Sequence, residues 1–140
     1  MIRPLIILAG LVLAAASLAA ADGHHHGEPV ALGTATIGAW EVTAHRIGAW
    51  EPGEEGPATI DLAPAQPAAK AVRVWIGGAD GRGATKTRGE KEAGKPGSWH
   101  CHVEVPDVPE PVPAEIRLWV AIESANGEQH TGSFTLTLSP

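Results

Sequence analysis

Seventeen glycines and twelve prolines are scattered through 140 residues, and together they leave no room for a long helix. A proline removes a backbone donor and clashes with the preceding helical turn, while a glycine inside a regular element surrenders conformational entropy. Between them lie short runs in which apolar and polar residues alternate, the period of a half-buried strand. Val30 to Ile37, Trp40 to Ile47, Ser98 to Val105, Glu115 to Glu123 and Glu128 to Leu138 are such runs. Ala58, Ile60 and Leu62 mark a further strand and Val72, Val74 and Ile76 another, and Ala84 to Glu90 reads as a polar edge strand. Seven to eight strands at this spacing predict an all-β domain over residues 30–140. Its expected form is two packed antiparallel sheets, an immunoglobulin-like β-sandwich.

The register of the last hairpin follows from its turn. Ile116, Leu118, Val120 and Ile122 form one apolar face, and Phe134, Leu136 and Leu138 form another. A two-residue turn at Asn126-Gly127 would pair Val120 with Ser133 and put those faces on opposite sides of the sheet. A three-residue loop, Ala125 to Gly127, pairs Val120 with Gly132 and Leu118 with Phe134, with Gly127 in the left-handed position. A one-residue slip reverses every side chain, so the three-residue loop is expected.

Two short repeats also stand out. Ile37-Gly38-Ala39-Trp40-Glu41 recurs as Ile47-Gly48-Ala49-Trp50-Glu51, and Val72-Arg73-Val74-Trp75-Ile76 is echoed by Ile116-Arg117-Leu118-Trp119-Val120. In the second pair the arginines and tryptophans share the face away from the aliphatic core. If those strands are neighbours, the arginines would stack on the indoles. Tryptophan is mostly buried, so a covered outer face is expected there before an open aromatic binding surface.

Ahead of the domain, residues 1–21 read as a secretory signal peptide. Arg3 begins it, an apolar run from Leu5 to Ala16 follows, and Ser17 to Ala21 supply small residues for cleavage. The run is shorter than the about 20 apolar residues of a spanning helix, so no membrane span is expected after cleavage, and the destination is periplasmic or secreted. Residues 22–29 then form a flexible histidine-rich tail. Loss of Arg3 leaves nine basic against sixteen acidic side chains, a net charge of −7, which offers no footprint for nucleic acid or anionic lipid. Cys101 is the single cysteine, so no intrachain disulfide forms. Pro106, Pro109, Pro111 and Pro113 predict an extended connector between the sheets.

Histidine carries the chemical lead. Cleavage after Ala21 would start the mature chain at Asp22-Gly23-His24, and an amine, two amides and a third-place histidine make a square-planar nitrogen set suited to Cu(II) or Ni(II). This start resembles the amino-terminal copper and nickel motif of several extracellular proteins. His25 and His26 extend the tract, a compositional metal-binding signal. In Trp99-His100-Cys101-His102-Val103-Glu104-Val105, strand alternation puts Cys101 on one face and His100, His102 and Glu104 on the other. Two imidazoles and a carboxylate in a row suit Zn(II) or Cu(II), with further ligands to come from His45, His130, the tail or water.

Pro96 to His102 resembles the histidine-cysteine-histidine segment of multicopper oxidases, but Pro106 stands where that family has another histidine and the mature chain lacks methionine. Cys101 is better read as a small core hydrophobe. Ser98, Ser124 and Ser133 lie in no Gly-x-Ser-x-Gly elbow. Glu54-Glu55 sits in a Pro/Gly loop where solvation is the default. Gly78 to Lys95 is glycine-rich and locally basic without the phosphate-cradling Gly-Lys arrangement, and reads as an exposed hairpin or loop.

The signal peptide, sandwich pattern and histidine usage together resemble the small periplasmic immunoglobulin-like proteins of the copper-carrier type. That resemblance implies a non-enzymatic protein that binds a divalent transition metal, copper ahead of zinc, as its cofactor or cargo. The alternative is a metal-independent interaction or accessory module that meets another envelope protein through the Trp/Arg face or the basic loop.

Overall fold

The computed structural model describes residues 27–107 and 116–137 of the chain. The expected signal peptide, His24, His25 and His26, the prolines at 109, 111 and 113, Glu115 and Leu138 lie outside the described residues. Among these residues the structure is all-β. In chain order the strands are β1 (Pro29–Ile37), β2 (Trp40–Ile47), β3 (Glu55–Ala63), β4 (Ala71–Ile76), β5 (Thr87–Arg88), β6 (Glu90–Lys91), β7 (Ser98–Glu104), β8 (Ile116–Glu123) and β9 (Gln129–Leu136).

They form two antiparallel sheets, one of five strands in the order β1-β2-β3-β7-β6 and one of four in the order β5-β4-β8-β9. The chain crosses from the first sheet to the second after β3 and again after β7. The four strands so joined pair as β3 with β7 and β4 with β8 at the centres of the two sheets. This is the interlocked arrangement of an immunoglobulin-like sandwich. The alternating residues do what their period demands. Val42, Ala44, Ala58, Ile60, Cys101 and Val103 of one sheet face Val72, Val74, Leu118, Val120 and Ile122 of the other in one buried core.

The last hairpin takes the three-residue loop. Val120 pairs with Gly132 and Leu118 with Phe134, the Ser124 amide donates to the Glu128 carbonyl at 2.9 Å, and Gly127 has φ +88°. Ile37 of β1 fills the space over Gly132, whose missing side chain would meet it at 2.6 Å. β1 and β9 thereby pack together and close one side of the sandwich.

The other side corrects an expectation. In place of one polar edge strand over Ala84 to Glu90, two two-residue strands flank Gly89, with β5 on the four-stranded sheet and β6 on the five-stranded sheet. Gly89 is buried, its amide donates to the Val72 carbonyl at 2.8 Å, and an added Cβ would come within 2.7 Å of the Cys101 sulfur. The segment therefore changes sheets where only a glycine clears the core, and a continuous edge ladder is impossible.

Candidate metal centre

β7 sets the site. Trp99, Cys101 and Val103 are buried, so the intervening His100 and His102 must point out of the five-stranded sheet, and both are half-buried there. Their rings meet. The two Nε2 atoms lie 2.9 Å apart, the ring centroids are 4.6 Å apart and the planes stand at 84°. Side chains two residues apart on one strand start about 7 Å apart by strand geometry, so the rings lean toward each other. In the metal-free pair one Nε2 carries a proton that it donates to the other.

The neighbouring strand flanks that pair. Pro57 of β3 lies opposite His102 and Glu55 lies opposite Glu104. The Pro57 carbonyl points away from β7 and accepts from Trp50 Nε1 at 3.0 Å, where the missing proline amide breaks no β3–β7 bond. Glu55 Oε1 stands 3.9 Å from His102 Nδ1. At that distance the carboxylate is an electrostatic neighbour of the ring and not its hydrogen-bond partner. Glu55 was missed in the sequence, where Pro52 and Gly53 made it look like loop. Its partnership with His102 depends on strand pairing that no local pattern carries.

Glu55 and Glu104 also stand directly across from each other, an unfavourable like-charge pair that a nearby cation relieves. Glu104 itself is exposed on the face it shares with His100 and His102. Among the described residues no three His, Cys, Asp or Glu side chains gather closely enough to hold an ion by themselves. What the described residues bring together at this place is two imidazole nitrogens.

Beneath it, Cys101 faces the opposite way. Burial pushes its thiol up to about 12, so it remains a neutral core side chain and supplies no thiolate. His130 is elsewhere: it belongs to the four-stranded sheet, packs its edge on Trp40 at 6.4 Å and lies under Gly38. His45 does share the outer face, because it pairs with Thr59 and Thr59 pairs with His100.

No family model, no curated protein and no solved structure matches this chain. Its own geometry therefore carries the functional argument.

The Trp/Arg face is filled by its own tryptophans. The repeat strands are neighbours, and their register places Trp75 opposite Trp119. The indoles consequently stack on each other, 6.5 Å between centroids and 14° from parallel. Trp75 Nε1 donates to Gly78 O and Trp119 Nε1 to Gly77 O, each at 2.8 Å, while Lys86 Nζ lies 4.7 Å from the Trp75 ring centre. Arg73 turns to Glu123 at 3.4 Å, and Arg117 Nε donates to Ser133 Oγ at 2.8 Å. The Gly77–Lys86 segment thus covers Trp75, as tryptophan's preference for burial leads one to expect, while Trp119 stays half-buried.

Proposed function

We propose that this protein is an exported, non-enzymatic β-sandwich that binds a divalent transition metal, copper ahead of zinc, through its histidines. The observation that carries the reading is the convergence of the His100 and His102 Nε2 atoms at 2.9 Å, on the face away from the Cys101 sulfur. An ion between them takes the place of the bridging proton. With metal–nitrogen bonds of about 2.0 Å, that separation subtends about 90°, the angle between neighbouring ligands of a square-planar or octahedral ion. A tetrahedral angle at the same bond length needs about 3.3 Å between the nitrogens. A square-planar ion is thus met with little movement of the rings and a tetrahedral one with a few tenths of an ångström more. Glu55 near His102 and the facing Glu104 bring negative charge to an incoming cation.

Asp22-Gly23-His24, once freed by cleavage, offers a separate planar nitrogen set of its own. Calorimetric titration of the chain from Asp22 onward with Cu(II) tests the reading. Two binding events are expected, of which one disappears in His100→Ala/His102→Ala. A variant that takes up Cu(II) as the parent does removes the folded site.

A further inference from the structure

One end of the sandwich is closed by small residues. Trp40 opens β2, Leu62 lies near the end of β3 and Trp99 lies near the start of β7, so antiparallel pairing brings the three to the same end of the five-stranded sheet. All three are buried on the core side. The chain leaves β3 for β4 across that end, and between Leu62 and Val72 the crossing supplies no apolar side chain larger than proline. Trp40 Nε1 donates to the Pro67 carbonyl at 3.0 Å, which ties the crossing down over the sheet. Its alanines are too short to fill the space beside the indoles. A half-enclosed hollow of about 160 Å³ remains, with Trp40, Leu62, Ala69 and Trp99 among its walls.

The mouth of this hollow is charged. Lys91 stands opposite Trp99 across β6 and β7, and its Nζ lies 5.5 Å from the centre of that ring. Lys95 also lines the hollow, but it is engaged with Glu92 at 3.5 Å. That pair is neutral together, so the Lys91 ammonium sets the sign of the charge met by an entering group. Gln66 adds a side-chain amide at the same rim, able to donate as well as accept. An apolar cavity of about 150 Å³ is large enough to take up benzene. Indole walls attract a flat ring, and an ammonium attracts a carboxylate with a charge-assisted hydrogen bond.

We propose that this hollow binds a small aromatic carboxylate, with the ring against Trp40 and Trp99 and the carboxylate at Lys91. The site opens at the end of the sandwich, whereas His100 and His102 point out of the face of the sheet. It is therefore separate from the metal centre, and the proposal does not depend on metal binding.

Benzoate is the probe, titrated into the metal-free chain from Asp22 onward and followed by NMR. Saturable shifts of the Trp40 and Trp99 indole N–H signals and of the Ala69 amide are expected at millimolar concentration or below. Lys91→Met keeps an apolar stem beside Trp99 and removes the charge. It should weaken benzoate binding about threefold to fivefold, the range of a partly exposed ion pair, and leave benzyl alcohol unaffected. Ala69→Leu fills the hollow and should abolish the shifts. Intermolecular NOEs from the benzoate ring to the Leu62 and Ala69 methyls of the parent chain decide the same point where Ala69→Leu does not fold. A titration without saturable shifts, or shifts that persist in folded Ala69→Leu, overturns the proposal. So does benzoate binding that is indifferent to Lys91→Met, or benzylamine bound as tightly as benzoate.

Discussion

Replacing Gly132 by alanine puts a methyl group where Ile37 already is. The added Cβ would sit 2.6 Å from Ile37 Cγ1 and 2.7 Å from Cδ1, well inside contact distance, while Ile37 Cβ is 3.8 Å away. Ile37 is 2 % exposed and cannot swing out into water without leaving the core. Overpacking of this kind costs about 1–3 kcal/mol. Ile37→Ala alone removes both clashing carbons and leaves a cavity, at about 2–5 kcal/mol. In the double variant the new methyl occupies part of that cavity and meets only the Cβ at an ordinary distance. Urea unfolding should therefore show the double variant less destabilised than the summed single variants, by about 1 kcal/mol or more, the coupling expected of residues in contact. Additive costs would refute the reasoning. They would mean that Gly132 does not face Ile37, and with it the register set by the loop at Ala125 to Gly127 would fall.

Two further outcomes follow from the site and its floor. Glu55→Gln should weaken Cu(II) binding by about fivefold or less with little change in folding, because it removes one exposed negative charge beside His102, and a titration beside a thermal melt reads both. Cys101 should resist thiol reagents until the protein unfolds. Its thiol titrates at about 12 when folded against 9.0 as the reference, so the unfolded chain sheds its proton first and stability should fall as pH rises from about 9 toward 12. Cys101→Ala should flatten that part of the pH profile, and an unchanged slope would assign it to other groups.

Most of the sandwich was legible because its strands are amphipathic and its turns are marked. Trp40, Val42 and Ala44 announce one face of β2, and Asn126-Gly127 fixes the final hairpin through the conformation Gly127 requires. Residues 84–90 were not legible, since a strand that leaves one sheet for the other at Gly89 does so for want of space beside Cys101, which lies twelve positions away in the chain. The outward direction of His100 and His102 could be read from alternation with the buried Trp99, Cys101 and Val103. What alternation could not say is that the two rings turn toward each other, that Glu55 stands behind one of them, or that His45 shares their face across Thr59. Those are facts of pairing between β2, β3 and β7. The Trp75–Trp119 stack belongs to the same class, a consequence of which residue lies opposite which.

The central claim is that the imidazoles of His100 and His102 bind one ion together. Electron paramagnetic resonance of Cu(II) in a chain whose His24, His25 and His26 are replaced by alanine tests it most directly, since only the folded domain is then left to coordinate. A tetragonal signal with hyperfine coupling to two imidazole nitrogens, lost in His100→Ala/His102→Ala, is the predicted result. A spectrum of hydrated copper, or one that survives removal of both histidines, would contradict it.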